Sequence, residues 1–255
     1  MSASPQDLPA GLTLRANVSW TFVGNVVTAA SWFSMTIVLA KLGSPEDVGQ
    51  FALALATTAP IFMFATLRLR DVQATDTGQD YHFGDYLGLR LTTTILALLV
   101  VGAIVAVSDF ERVLALVILA MAVSKAIEAM ADVVYGRLIQ QERMDGIAKS
   151  MLMKGPLSLL GLAIGFYVTG SLFWGVVGLV AARAVIFVGY DLHNLNVSFN
   201  PSAGLTNHIN PRNLPRPRWD RETLAKLVRL ALPLGLVTML ISFNSNIPRY
   251  FIEGH

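Results

Sequence analysis

The chain contains no cysteine among its 255 residues. Disulfides, thiolate metal sites and cysteine nucleophiles are therefore excluded, and cysteine usage says nothing of a redox compartment. Histidine is scarce as well: His82, His193, His208 and His255 are scattered through polar stretches. None stands in an HExxH or His-x-Glu spacing that would hold a metal. There is no Walker A run to bind and hydrolyse ATP, and no G-x-S-x-G elbow to present a serine nucleophile. The expectation is a protein that is not an enzyme, has no metal site and no bound cofactor, and has Na+ or H+ as candidate coupling ions. Charge is the other shortage. Only 14% of the residues are charged, where a soluble domain carries about a quarter.

Apolar residues take the place of charge. They make up 54% of the chain, the mean hydropathy is +0.56, and they come in long runs. This composition predicts an all-α, polytopic helical membrane protein. The N-terminus, MSASPQDLPAGLTLRAN, has two prolines and an acid where a signal peptide has a basic region. The first apolar run also continues well past the about 7–15 residues of a signal-peptide core, so it reads as an uncleaved first span. Seven spans are expected, at 18–40, 51–67, 91–107, 113–135, 152–168, 171–190 and 227–247. The first is free of charge but holds Asn25; the second holds Pro60, tolerated where neighbouring helices satisfy the freed carbonyl. Residues 68–90 are polar, and their aromatics Tyr81, Phe83 and Tyr86 predict a segment lying at the membrane interface. The longest break, 191–225, is rich in Asn and Pro. The organisation is therefore a terminal segment (1–17), six spans (18–190), a polar loop (191–225) and one further helix (226–255).

Lys and Arg are distributed unevenly. Fourteen fall at one side of the membrane, in Arg15 and the stretches 68–90, 137–154 and 212–229, while only Lys41 and Arg112 fall at the other. Basic loops stay cytoplasmic, which predicts a multi-pass protein with its N-terminus inside. Asn17-Val-Ser and Asn196-Val-Ser match the glycosylation pattern by chance, since both lie on the inner face. The run INPRNLPRPRWDRE is a positive-inside loop able to touch anionic lipid head groups, and nothing supports a nucleic-acid role.

The fourth span, VLALVILAMAVSKAIEAMADVVY, still carries three charges. Lys125, Glu128 and Asp132 stand at i, i+3 and i+7, within roughly a 60° arc of one helical face. A charge at mid-membrane costs at least ~2.5–3.5 kcal/mol, so such a face turns to a bundle interior or a watery cavity. Two readings stand side by side: a structural ion pair of Lys125 with Glu128 that orients helices, or a charged face lining the path of a polar solute or coupling ion. Arg183 lies as far into the sixth span as Lys125 into the fourth, each ~18 Å below the outer surface. These two spans run in the same direction. Arg183 either neutralises Glu128 in a closed network or joins a graded polar interior. The GLAIG of span five is a small-xxx-small arrangement that predicts close helix packing.

Several stretches, taken together and in order, carry a resemblance. They are IVLAKLGSPEDVGQFALALATTAPIFMFATLRLRDVQATD, SKAIEAMADVVYGRLIQQERMDGIAKS, LALPLGLVTML and FNSNIPRY. From about Asn17 onward the chain resembles the bacterial polysaccharide flippases, the O-antigen and lipopolysaccharide-type transporters of the multidrug/oligosaccharidyl-lipid/polysaccharide exporter superfamily. That resemblance implies a MATE-like fold of two six-helix lobes and alternating access across the inner membrane for cell-surface polysaccharide biosynthesis. The implied substrate is an oligosaccharide on undecaprenyl pyrophosphate, whose anion would meet cations in the cavity. Carried over by position, the candidate residues are Arg68, Arg70, Lys125, Glu128, Asp132, Arg183, Asn244 and Arg249, with Asn25 of the first span beside them. Such transporters have about twice as many helices. The chain is expected to be the first lobe plus the first helix of a second, either a truncated product or a half that needs a partner. Membrane lipid, a second lobe and a glycan polymerase are the implied partners. The alternatives are an inert fragment and a small-molecule exporter of a sister family. A membrane-bound glycan polymerase or ligase is disfavoured, because the outer links at 41–50, 108–112 and 169–170 are too short for a catalytic loop.

Overall fold

The computed structural model describes residues 14–199 and 215–252, apart from 77 and 79. The first thirteen residues and much of the expected polar loop lie outside the described residues. Among the described residues every regular element is helical: α1 (Leu14–Leu42), α2 (Pro45–Thr66), α3 (Leu69–Thr75), α4 (Phe83–Val107), α5 (Arg112–Gln140), α6 (Met144–Thr169) and α7 (Leu172–Ile186). A π-helical turn (Phe187–Asp191) carries α7 into α8 (Leu192–Phe199), and α9 spans Arg221–Ile252. Among the described residues seven helical stretches are long and apolar enough to cross a membrane. The chain is a multi-pass helical membrane protein. Its outward side chains, such as Phe22, Leu99, Ile164 and Leu240, are apolar and exposed, as lipid requires.

Local chemistry sets the turns. Ser44 accepts the Asp47 N–H at 3.2 Å while the Asp47 carboxylate accepts the Ser44 N–H at 2.8 Å, and Pro45 follows at the first helical position. This reciprocal cap starts α2 directly after α1 has ended. Gly170 closes α6 at φ +65°, its N–H bonded to the Phe166 carbonyl at 2.7 Å, and the chain reverses into α7. The α6–α7 pair meets backbone to backbone. A Cβ at Gly161 would overlap the Gly178 carbonyl, one at Gly178 would overlap Gly161, and one at Gly165 would overlap Trp174. The small-xxx-small spacing of GLAIG thus serves close packing.

α5 is the hub, packed against α2, α3, α4 and α7, while α6 joins α1 to α7. One core, including Leu39, Phe62, Val101, Ile118, Leu162 and Leu179, draws on all six of the longest helices before α9. A second lies at the basic end of the bundle, where most Lys and Arg fall. It joins Leu67, Leu69, Tyr86 and Val133 to Leu227 and Ala231 of α9.

Residues 68–90 are built into the end of the bundle. Leu67 and Arg68 take left-handed φ of 48° and 52°, a break that separates α2 from α3 and is held by burial of Leu67 and Leu69. The Asp85 carboxylate accepts the His82 N–H at 2.9 Å and starts α4 at Phe83, well ahead of the expected 91. Tyr86 is 1% exposed and donates its hydroxyl to Asp76 at 3.0 Å; Phe83 packs edge-on to Phe199. Tyr86 is therefore inside the protein, the half-buried Tyr81 and Phe83 pack against its core, and Arg90 sits within a helix rather than in a loop. At the other break, helix continues to Phe199 and resumes at Arg221, so less of 191–225 is irregular than its polarity suggests.

Candidate functional site

Three charged clusters are strung along the inner face of α5. In the first, Glu128 lies between two cations: Lys125 Nζ is 2.8 Å from Oε2 and Arg183 Nη1 is 3.0 Å from Oε1. Spans four and six therefore touch, which their sequences left open. Arg183 also donates to Ser124 Oγ at 2.6 Å. Trp32 of α1 lies against both cations, with Lys125 4.9 Å and Arg183 5.0 Å from its ring centroid. Stacking on an aromatic face suits a guanidinium withdrawn from water.

One turn further along, Asp132 binds Arg90 Nη2 at 2.9 Å and Arg70 Nη1 at 3.2 Å. Arg90 is fully buried, and its second nitrogen caps the Thr66 carbonyl at 2.9 Å where α2 ends. Arg70 reaches Asp132 because the left-handed break at Leu67 and Arg68 turns α3 towards α5.

The third cluster is a closed ring. Lys154 Nζ donates to Asp191 at 2.5 Å and to the Tyr135 hydroxyl at 2.7 Å. Ser150 donates to Asp191 at 2.6 Å, and Tyr135 and Ser150 are 2.7 Å apart. Since the single Ser150 proton goes to Asp191, the Tyr135 proton goes to Ser150. Asp191 is 1% exposed and ends the π-helical turn, a geometry that displaces it from the α-helical position it would otherwise hold.

A cavity of about 190 Å³ opens among Trp32, Glu128, Asp132, Tyr135, Lys154 and Arg183. A second cleft of about 340 Å³ lies on the other flank of α5, lined by Arg68, Arg70, Lys125, Glu128 and Asp132. The two carboxylates of α5 are thus a partition reached from both sides. Ser158, in the wall of the first cavity, is 1% exposed and its hydroxyl has no partner among the described residues. The clusters hold five cations (Lys125, Arg183, Arg90, Arg70, Lys154) against three carboxylates (Glu128, Asp132, Asp191). Arg70 also lies 3.9 Å from Asp71, but that carboxylate is bound by Arg68 at 2.8 Å.

Of the residues expected from sequence, Lys125, Glu128, Asp132, Arg183 and Arg70 are brought together. Arg68 borders the second cleft but forms an exposed pair with Asp71. Asn25 does not join the site: it is exposed on α1 and lines a separate groove with Asn17 and Glu142. The side chains of Asn244 and Arg249 lie outside the described residues. Sequence reasoning missed Arg90 and Asp191, assigned to polar breaks, and Lys154, counted with the basic side at the start of the fifth span, and also Trp32, Tyr135 and Ser150. Tyr135 was within reach, since 125, 128, 132 and 135 continue one face at alternating steps of three and four.

No family model matches the sequence. The capsular polysaccharide biosynthesis protein CapF of Staphylococcus aureus is 28% identical over 238 residues, which are 93% of this chain and 56% of CapF. A MOP superfamily transporter of Pyrococcus furiosus Vc1 superposes with a TM-score of 0.56 at 18% identity, over 89% of this chain and 52% of that one. A MATE crystallised with Br-NRF superposes with a TM-score of 0.57 at 19% identity, over 94% of this chain and 56% of that one. The fold is half of a MATE-type transporter. The chain spans about half the length of each relative it matches.

Proposed function

We propose that this chain forms the first half of a flippase that moves an oligosaccharide linked to undecaprenyl pyrophosphate across the bacterial inner membrane for cell-surface polysaccharide. The observation that carries the reading is the excess of cations over carboxylates along the polar face of α5. The two clusters at Glu128 and Asp132 each hold two cations for one carboxylate, a surplus that suits a pyrophosphate. The MATE-type fold and the likeness to a capsular polysaccharide biosynthesis protein support it. The chain supplies one wall of the cavity, α9 is the first helix of the second half, and alternating access needs the opposing wall. Joined to a complementary second half, the chain should restore surface polysaccharide to a strain lacking its lipid-linked oligosaccharide flippase; alone it should not. Drug resistance gained without polysaccharide would replace this reading with small-molecule export.

The same proposal puts the basic end in the cytoplasm. Because Ser44 caps α2, the exposed neighbour Glu46 is the better reporter. In intact spheroplasts a cysteine at Glu46 should react with an impermeant maleimide and one at Glu142 should not. The reverse pattern would turn the protein over.

A further inference from the structure

The chain approaches α9 through residues 215–220, which have no regular secondary structure but lie tightly against α4. The Arg218 N–H donates to the Gly84 carbonyl at 2.8 Å, and Arg218 Nε is 3.7 Å from the buried Asp85 carboxylate. A Cβ added at Gly84 would stand 2.6 Å from the Arg216 carbonyl oxygen, and one at Gly88 would overlap the Arg218 carbonyl. Any other residue at either place would push the segment away from the helix.

The two backbones are in register. Gly84 and Gly88 are four residues apart, about 6 Å along a helix. Arg216 and Arg218 are two apart, about 6.2–6.8 Å along an extended chain. Pro215 and Pro217 keep the segment extended and leave the Arg218 N–H free to face Gly84. Asp220 then caps α9 by accepting the Thr223 N–H at 3.2 Å, and its carboxyl is held below the usual carboxylate range chiefly by the Thr223 hydroxyl. Two turns on, Leu227 and Ala231 are fully buried beside Tyr86, Leu67 and Val133. Segment and helix base share one anchor.

We infer that residues 215–220 are a clamp that fixes the base of α9 to α4, so that α9 moves with the preceding helices as one body. Resting on the two-half transport reading, this places the pivot between the halves beyond the base of α9. The segment that precedes α9 is then not the hinge, although pseudosymmetry would assign α9 to the second half.

The absence of native cysteine makes the test clean. A single cysteine at Leu227 reports, by its rate of maleimide labelling in proteoliposomes, how often the base of α9 leaves the bundle. Gly88→Val blocks the groove. Arg218→Pro removes the donated N–H while keeping the chain extended, and Arg218→Ala removes only the guanidinium. Labelling at Leu227 should rise by about tenfold or more in the first two variants and stay within about twofold in the third. A cysteine at Ile118, in the other core, should stay slow throughout. If Gly88→Val also speeds the Ile118 reporter, Arg218→Pro decides, since it adds no bulk to the helices. Unchanged labelling at Leu227 in Arg218→Pro would overturn the clamp, as would equal acceleration at both reporters. No transport is measured, so this inference and the transport reading fail separately.

Discussion

Asp132→Asn is expected to lower the stability of the protein by about 3–5 kcal/mol, the scale for removing one partner of a buried ion pair. Arg90 is fully buried and Asp132 is the carboxylate bound to it, so the amide leaves a charge inside the bundle without compensation. Asp132 itself keeps 23% of its side chain exposed, which favours the lower part of that range. Thermal unfolding in detergent should show a fall of more than about 5 °C. Adding Arg90→Met should recover much of the loss, because the unpaired charge disappears and the methionine fills part of its volume. A midpoint that does not move with Asp132→Asn would show that Arg90 has another counterion or reaches water.

Lys125→Ala should act differently. In the chain joined to its second half, export of lipid-linked oligosaccharide should be lost while the amount of protein in the membrane stays normal. The geometry separates the two effects: Glu128 keeps Arg183 at 3.0 Å when Lys125 is removed, so no carboxylate is stranded. What disappears is one of the two cations stacked on Trp32 and with it the surplus charge of that cluster. Lys125→Arg should retain part of the export, since charge is kept and geometry is not. Full export by the Lys125→Ala, Glu128→Gln pair would make the cluster a structural ion pair only.

The membrane class and the charged face of α5 were legible because both are local. Lys125, Glu128 and Asp132 fall on one face by helical spacing alone, and a charge inside an apolar run is conspicuous. Arg90 and Asp191 were hidden for a common reason. Hydropathy marks where a helix meets lipid, whereas a helix extends as far as its backbone bonds and caps allow. α4 and the α7–α8 continuation run beyond their apolar stretches, and both charges sit in such extensions, whereas Lys154 stands at the start of the fifth span and reads there as one more cation of the basic side. Their partners are distant in sequence: Arg90 finds Asp132 across 42 positions and Lys154 finds Asp191 across 37. No local pattern announces pairs of that separation. Trp32 was silent for a different reason, because an aromatic in an apolar span reads as lipid-facing until two cations are placed beside it.

Arg90 also gives the bundle an order of assembly. Synthesis delivers α4 before Asp132 exists, so for a time the helix holds a cation in its second turn with no carboxylate to meet it. A lone Arg in hydrocarbon is costly, and until α5 arrives the guanidinium keeps water only by staying at the head-group level. α4 therefore settles to its final depth together with α5, as a hairpin whose two charges enter as a pair. α5 meets no such delay at Glu128, since Lys125 travels on the same helix one turn away. Arg183, made last of the three, then docks onto a carboxylate already in place.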